Sequence, residues 1–564
     1  MQQRTTHQYR VLLALLCGVL VLHAVHLACI VEDAFISFRF ARNFAAGHGF
    51  VWNVGEPPIE GFTTFLWVLL SGLGIRAGLD VLFASQVLGT LSALGTLVLT
   101  FVFARRQLGA SNGIALVPCV FLAFSGPLAA WASSGMEITT FGFCILLGVF
   151  GYLEFLKHRS VGWLVCSGLV LCTATLVRPE GGLVVVVLGS LAVTVFLRRT
   201  LATFGHHVVW GLTYTLPLAL FLWWRWNEFG DLVPNTFHQK TGGGIWQYYR
   251  GLGYLINFAF FYLLPLLPLA LLLGWERGLP GVRQLGRVGD WLRSANAHEA
   301  ITTSVALIFV YSVYLMYVGG DYMALYRFMV PLLPFIYLML VPVLEAILES
   351  AGAMPHKARL TALTVAAAVA ATFVHSTPLE SSFFRIATWQ HGNYRGVLAE
   401  RRYVKRFAFI GNFFADYAKS PTDSLATRSI GVIGYLANDL TIHDLTGLTD
   451  RHIASQPGRA TNQTWAGHEK WDLDYSFGRL PTYFMFDENL VAEDVPASAH
   501  PSAFAMADAV EQRYPVAKKY ADWMRANPQF IEENYQLTSI WLDDEAEDEH
   551  GYFMFLERKP AEPL

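Results

Sequence analysis

The sequence predicts a polytopic α-helical membrane protein with a C-terminal extracytoplasmic α/β domain. Three observations predict it. Of the 564 residues, 54% are hydrophobic and 15% charged, whereas soluble domains are typically about a quarter charged. The apolar residues come in runs of roughly twenty, the length that crosses a bilayer as a helix. From residue 377 onward the composition changes to that of a water-soluble fold.

About eleven runs are long enough to span, near residues 11–31, 80–104, 112–132, 136–156, 160–177, 181–197, 205–224, 253–274, 300–318, 328–348 and 360–376. The first follows Arg4 and Arg10, but it is too long for a signal-peptide core and has no clear cleavage site. It reads as an uncleaved span. With a cytoplasmic N-terminus, the inner loops carry Arg105 and Arg106, Lys157 and Arg159, Arg198 and Arg199, then Arg277, Arg283, Arg287 and Arg293, and finally Lys357 and Arg359. Every inner loop is then basic, in agreement with the positive-inside rule. The odd number of spans puts the C-terminal segment outside. The short apolar run Phe62–Leu73 would reverse this assignment if it crossed. It reads instead as a helix at the outer interface, so the first outer loop covers 32–80. Residues 1–376 form the membrane domain and 377–564 the soluble domain. Within the latter, Ser429–Gly434 and Thr482–Phe486 read as strands and Phe504–Trp523 as helix.

Several function classes drop out. Net charge is −3 with no basic tail, which argues against a nucleic-acid partner. All six cysteines lie in apolar runs of the first third, without zinc-site spacing. Gly431 to Gly434 lacks the full dinucleotide pattern and is expected to be a strand turning into a loop. His443, Asp444, His452, His468 and Glu469 hold a metal only if the fold gathers them, and an ordinary surface role is the stronger expectation. A transporter would carry ionisable groups near mid-membrane and repeated halves. Here the ionisable groups gather at the outer mouth and no repeat is evident.

That outer side carries the chemistry. Glu32 and Asp33 follow the first span, in a partly dry setting that favours a carboxylate base. Arg39, Arg42 and Asn43 share one helical face and suggest an anion such as phosphate, against the alternatives of interfacial snorkelling or local ion pairing. Further groups are Gly135-Met136-Glu137, Arg178-Pro179-Glu180, Trp226 to Asp231 leading to His238 and Lys240, and Gly319-Gly320-Asp321 leading to Tyr326 and Arg327.

Taken together, Glu32-Asp33 to Arg39, Gly47-His48-Gly49, Glu60-Gly61, Val177 to Gly181, Gly319-Gly320-Asp321 with Tyr326-Arg327-Phe328, Asp444 to Asp450 and Gly467 to Lys470 resemble the GT-C superfamily of polyprenyl-phosphate-sugar glycosyltransferases. Within it they resemble the bacterial branch of arabinofuranosyltransferases and ZomB-type proteins. The resemblance implies an inverting transfer of a sugar, arabinofuranose among the candidates, from a polyprenyl-phosphate donor. The acceptor is a glycan, lipid or surface protein on the outer face of a bacterial cytoplasmic membrane. It implies Asp33 as base with Glu32 as helper, and Arg327, Arg178, Arg39 and Lys240 on the donor phosphate. Asp321, Glu60, His238, Tyr326 and Glu180 are expected on sugar or acceptor. Where the branch often has two aspartates, this chain has Glu32-Asp33. No cofactor is needed, and a divalent metal is neither required nor excluded. The alternative is a non-catalytic membrane assembly factor for a flagellar or pilus complex.

Overall fold

The computed structural model describes all residues except 1, 200–203, 270–294, 322, 352–354, 376–395, 460–466, 488, 492–501, 545–548 and 561–564. The helical part runs α1 (Gln2–His26), α2 (Glu32–Ala45), α3 (Phe65–Arg76), α4 (Val81–Arg106), α5 (Asn112–Ala123), α6 (Gly126–Ala132), α7 (Ile138–His158), α8 (Val161–Val177), α9 (Gly181–Arg199), α10 (Phe204–Phe229), α11 (Asn235–Lys240), α12 (Gly244–Phe258), α13 (Ala295–Val318), α14 (Leu333–Leu338), α15 (Leu340–Ala351) and α16 (Pro355–His375). Ten of the eleven apolar runs fall wholly or largely on these helices, and the 253–274 run begins on the end of α12 and continues through π and 3-10 turns to Leu266. Among the described residues, six helices are long and apolar enough to cross a membrane, and the α5–α6 pair, bent by 61°, makes up to seven. α8, α9 and α16 are apolar but shorter by that measure. Part of the 253–274 run lies outside the described residues.

The first loop folds back onto the bundle. The Val31 amide donates to the Ser134 carbonyl at 3.1 Å, which fixes where α2 begins. Gly135 (φ +79°) lets the chains approach, because a Cβ there would lie 3.0–3.3 Å from Ile30, Ala34 and Phe38. α3 is a short apolar helix, as expected, and lies against α2, with the Trp67 indole donating to the Gly135 carbonyl at 3.1 Å. Phe40 with Phe62 and Phe44 with Phe50 meet at 4.8 Å between ring centroids. Each such buried ring contributes about 1.5–3 kcal/mol.

The C-terminal domain opens with α17 (Val397–Tyr417) and contains β1 (Ser424–Thr427), α18 (Gly431–Leu436), β2 (Thr441–Asp444), α19 (Arg451–Ala454), α20 (Leu473–Gly478), β3 (Tyr483–Met485), α21 (Ala503–Arg513), α22 (Lys518–Ala526), α23 (Pro528–Asn534), β4 (Tyr535–Asp544) and β5 (Glu549–Arg558). The sheet order is β2-β1-β3-β5-β4. β1 is parallel to β2 and β3, while β5 is antiparallel to β3 and β4. Two expectations need correction. The segment expected as a strand at Ser429–Gly434 is mostly α18, and the strand precedes it. Short buried apolar runs do not reveal their period, and this one is buried against α2 and α17. The helical stretch Phe504–Trp523 is broken into α21 and α22 by a turn at Pro515–Ala517, because proline lacks the amide a continuing helix needs.

Candidate active site

Four remote segments meet in front of α2. Arg327 follows Leu325 (φ 57°) and Tyr326 (φ 50°), a left-handed pair that costs energy in non-glycine residues. Packing holds that turn. The Tyr326 ring is enclosed by Tyr254, Phe258 and Tyr262 at 5.4–5.5 Å, and the Trp131 indole donates to the Leu325 carbonyl at 3.2 Å. The turn aims Arg327 at two carboxylates, Asp33 at 3.2 Å and Asp321 at 2.7 Å. Its guanidinium also lies 4.8 Å from the Phe328 ring.

A second buried group stands on the other side of that ring contact. Arg178 donates to Glu137 at 2.6 Å and to Glu180 at 2.7 Å, and its guanidinium is 5.1 Å from Phe328. The Tyr314 hydroxyl donates to Glu180 at 2.9 Å. Phe328 therefore separates two arginines, each held by two acids.

Lys240 completes the cavity. On α11, Asn235 donates to the Gly447 and Leu448 carbonyls at 2.8 and 2.9 Å, and Gln239, one turn on, donates to the Gly467 carbonyl. That face fastens the helix to the α/β domain. The Lys240 amine stays accessible in a space enclosed by protein, which lowers its proton affinity, while Asp33 and Asp321 act to raise it. Among the described residues, no carboxylate lies at ion-pair distance from Lys240.

Glu32 and Asp33 differ in environment. Glu32 accepts the Gly431 amide at 2.6 Å, at the start of α18, where a Cβ on Gly431 would come within 2.3 Å of the Glu32 carbonyl. Burial first, and then Asp33, push the Glu32 carboxyl up to about 8. Glu32 is therefore expected to hold its proton at pH 7.

The other expected site residues lie elsewhere. Arg39 is 2% exposed and donates to the Trp52 carbonyl at 3.0 Å, to the Leu440 carbonyl and Asn53 Oδ1 at 3.1 Å, and to the Gly434 carbonyl. Arg42 donates to the Tyr435 carbonyl, and Asn43 to those of Val51 and Trp52. This face ties the first loop to itself and to the α/β domain. Tyr326 is an aromatic core residue. His238 faces Asp231 at 2.9 Å. Glu60 pairs with Arg225 at 2.7 Å, and burial raises its carboxyl to about 7. The two groups brought together here are thus Asp33, Asp321 and Arg327, and Arg178 with Glu180, with Lys240 facing them. Glu137 and His468 belong to the cavity but were not singled out as site residues from sequence. Gly135-Met136-Glu137, at the head of a span, carried the available signal for the first.

Among the described residues, no group of three or more His, Cys, Asp or Glu is placed to hold a metal. His452 pairs with Asp472 at 2.8 Å. Asp444 accepts from the amides and hydroxyls of Thr446 and Thr449 at 2.6–3.2 Å, which clamps the loop that receives Asn235.

The arrangement is a multi-pass helical bundle whose acidic first loop joins a C-terminal α/β domain. The structure resembles that of ArnT from Cupriavidus metallidurans bound to undecaprenyl phosphate, with TM-score 0.50 and 16% identity over 86% of this chain and 96% of that one. The apo ArnT structure gives 0.52 and 15% over 85% and 93%. A likeness at these identities concerns the fold. In sequence, the chain is 28% identical over 327 residues to the terminal beta-(1->2)-arabinofuranosyltransferase of Mycobacterium tuberculosis, covering 52% of this chain. The chain spans about half the length of that relative, at 49%. Residues 392–554 match a family described as a domain of unknown function (DUF8728).

Proposed function

We propose that the protein is an inverting glycosyltransferase that uses a polyprenyl-phosphate sugar, within the arabinofuranosyltransferase-like branch. The site faces the periplasm or cell exterior at a bacterial cytoplasmic membrane. The observation that carries this is the juxtaposition of Asp33, held by Arg327, with Lys240, which among the described residues has no carboxylate at ion-pair distance. The acceptor hydroxyl gives its proton to Asp33 while its oxygen bonds to the anomeric carbon. The bond from that carbon to the phosphate oxygen breaks on the opposite side, and polyprenyl phosphate leaves with the electron pair. A base positioned against the nucleophile and cations against the departing charge are the two requirements of such a displacement. Lys240 binds the phosphate. Arg327 orients Asp33 and joins Arg178 in stabilising the leaving charge, and Asp321 and Glu180 hold the two arginines. Protonated Glu32 adds no second negative charge beside Asp33. Arg39 has no phosphate role in this reading, since its donors are engaged by the interdomain joint. These steps require no metal.

The resemblance in sequence to the mycobacterial enzyme and in fold to ArnT supports this reading over that of an assembly factor. The test is Asp33→Asn in the full chain, reconstituted in nanodiscs. The expected result is loss of sugar transfer with undecaprenyl-phosphate binding retained. Unchanged envelope glycans in a strain carrying that variant at normal protein level would overturn the assignment.

A further inference from the structure

The parallel strands β1, β2 and β3 all end on the side that meets α2. The chain leaves β1 at Thr427, passes Arg428 and reaches Gly431, whose amide holds Glu32 at 2.6 Å. Three residues span at most about 11 Å, so Arg428 lies close to the acidic pair. In open α/β sheets, ligands bind outside the carboxyl ends of the parallel strands.

That edge is unusually cationic. Arg428 pairs with Asp487 beyond β3 at 3.3 Å. Lys519, in the first turn of α22, holds its amine 4.3 Å from the Trp471 ring centroid and 5.1 Å from that of Tyr520. Arg459 places its guanidinium 4.9 Å from the same Trp471 ring. Among the described residues, neither Lys519 nor Arg459 has a carboxylate at ion-pair distance. Burial, and then repulsion from Arg428 and Arg459, bring the Lys519 ammonium down to about 7. Cations gathered around one tryptophan, short of matching acids, are stabilised by an incoming anion.

The Gly467–Lys470 loop lies between this edge and the reaction site. Glu469 is pinned by Arg250 at 2.5 Å, and the Lys470 amine is held by the His238 and Ala454 carbonyls at 2.8 and 2.7 Å. A Cβ on Gly467 would stand 3.8 Å from Lys240 Cε, so the Gly467–Lys470 loop packs on Lys240. His468, in that loop, is lowered to about 4, mainly by burial, and senses the charges of Asp33 and Lys240 on one side and Arg428 and Lys519 on the other.

We infer that this edge is the acceptor site, and that the acceptor is an anionic glycan carrying carboxylate or phosphate groups, read by Lys519, Arg459 and Arg428 with Trp471 holding the first two in place. This rests on the glycosyltransferase reading and adds the charge class of the acceptor to it. Neutral His468 lines the passage between this edge and Asp33 without adding charge.

The experiment uses the full chain in phosphatidylcholine nanodiscs and compares tetragalacturonate with neutral galactotetraose, each by calorimetry at two salt concentrations. The charged probe should bind at least tenfold more tightly and weaken with salt. Lys519→Gln with Arg459→Gln should remove that preference, and Lys519→Arg should keep it. Undecaprenyl-phosphate binding, measured in the same samples, should be unchanged in all variants. Equal binding of the two probes, or full charged-probe affinity in the double variant, would overturn the inference. So would a double variant whose only change is its response to phosphatidylglycerol in the disc, which would mark a lipid-headgroup site. If the charged probe binds but undecaprenyl phosphate does not, the glycosyltransferase reading fails and the anion site stands. If only the donor binds, the anion site fails alone.

Discussion

Replacing Lys240 by Gln is expected to weaken donor binding more than any change at the arginines does by charge alone. The reason is in the local charge balance. Arg327 faces Asp33 and Asp321, and Arg178 faces Glu137 and Glu180, so each arginine group carries more acid than base. A phosphate entering the site meets Lys240 as a cation that has no carboxylate partner among the described residues. A hydrogen bond to a charged group contributes about 1.5–3 kcal/mol, so Lys240→Gln should raise the Kd for undecaprenyl phosphate roughly 10- to 150-fold. Burial lowers the lysine's proton affinity. The ammonium is therefore present at low pH and lost as pH rises through a value below the ordinary lysine range, and donor affinity should fall with it. Lys240→Arg should move that fall to higher pH. The assay is quenching of tryptophan fluorescence by undecaprenyl phosphate in nanodiscs across a pH series. Wild-type affinity in Lys240→Gln, with a wild-type pH profile, would refute the assignment of the phosphate to this lysine.

Glu32→Gln should leave the transfer rate near wild type at pH 7, because the native carboxyl is already neutral there. Above about pH 8, where Glu32 ionises beside Asp33, the wild-type kcat should change and the variant's should not, so the two kcat profiles separate. The same raised affinity means that native stability falls as pH rises from the ordinary glutamate range to about 8 and levels off beyond, so thermal melting should show Glu32→Gln as the more stable chain above neutrality. Asp321→Asn should lower kcat by ten- to a hundredfold with little change in donor Kd, since it loosens Arg327 and hence Asp33; a purely binding defect would contradict this. Arg39→Ala should lower Tm by several degrees, since the buried Gly434 and Leu440 carbonyls lose the Arg39 donor, at about 1–3 kcal/mol for such groups. Donor affinity should be unaffected, and a selective loss of donor binding at unchanged Tm would restore Arg39 to the site.

The bundle was legible because crossing a bilayer leaves a one-dimensional signature, long apolar runs with basic residues on alternate loops. The central charges were legible for a related reason. Asp33, Arg178, Glu180, Asp321 and Arg327 each interrupt or border an apolar run, where an ionised group is costly without a partner. Arg39 looked the same in sequence and is not part of that group. Its partners are backbone carbonyls of Gly434 and Leu440, about four hundred residues away, and a carbonyl acceptor leaves no trace in residue type. Tyr326 was misplaced because its aromatic enclosure comes from α12 and the turn after it. The strand expected at Ser429–Gly434 failed because a buried β-branched run carries no period, and its helix exists through packing against α2 and α17.

The joint between the two parts explains why an acidic pair and a glycine turn from opposite ends of the chain belong to one device. Gly431 can approach Glu32 only because it lacks a Cβ, and its amide is a donor at the first turn of α18, where amides have no helical partner. The interaction holds Glu32 against the α/β domain, and Asp33, the next residue of α2, is placed with it. Arg39 and Arg42 then fix the same two parts together two to three helical turns further on, through carbonyls of Gly434 and Tyr435. The base is thus positioned from both sides, by Arg327 of the bundle and by α18 of the C-terminal domain. Displacing that domain should cost catalysis and donor binding together, because it releases Glu32 from the Gly431 amide and also frees α11, whose Asn235 and Gln239 tie the Lys240 segment to the same domain.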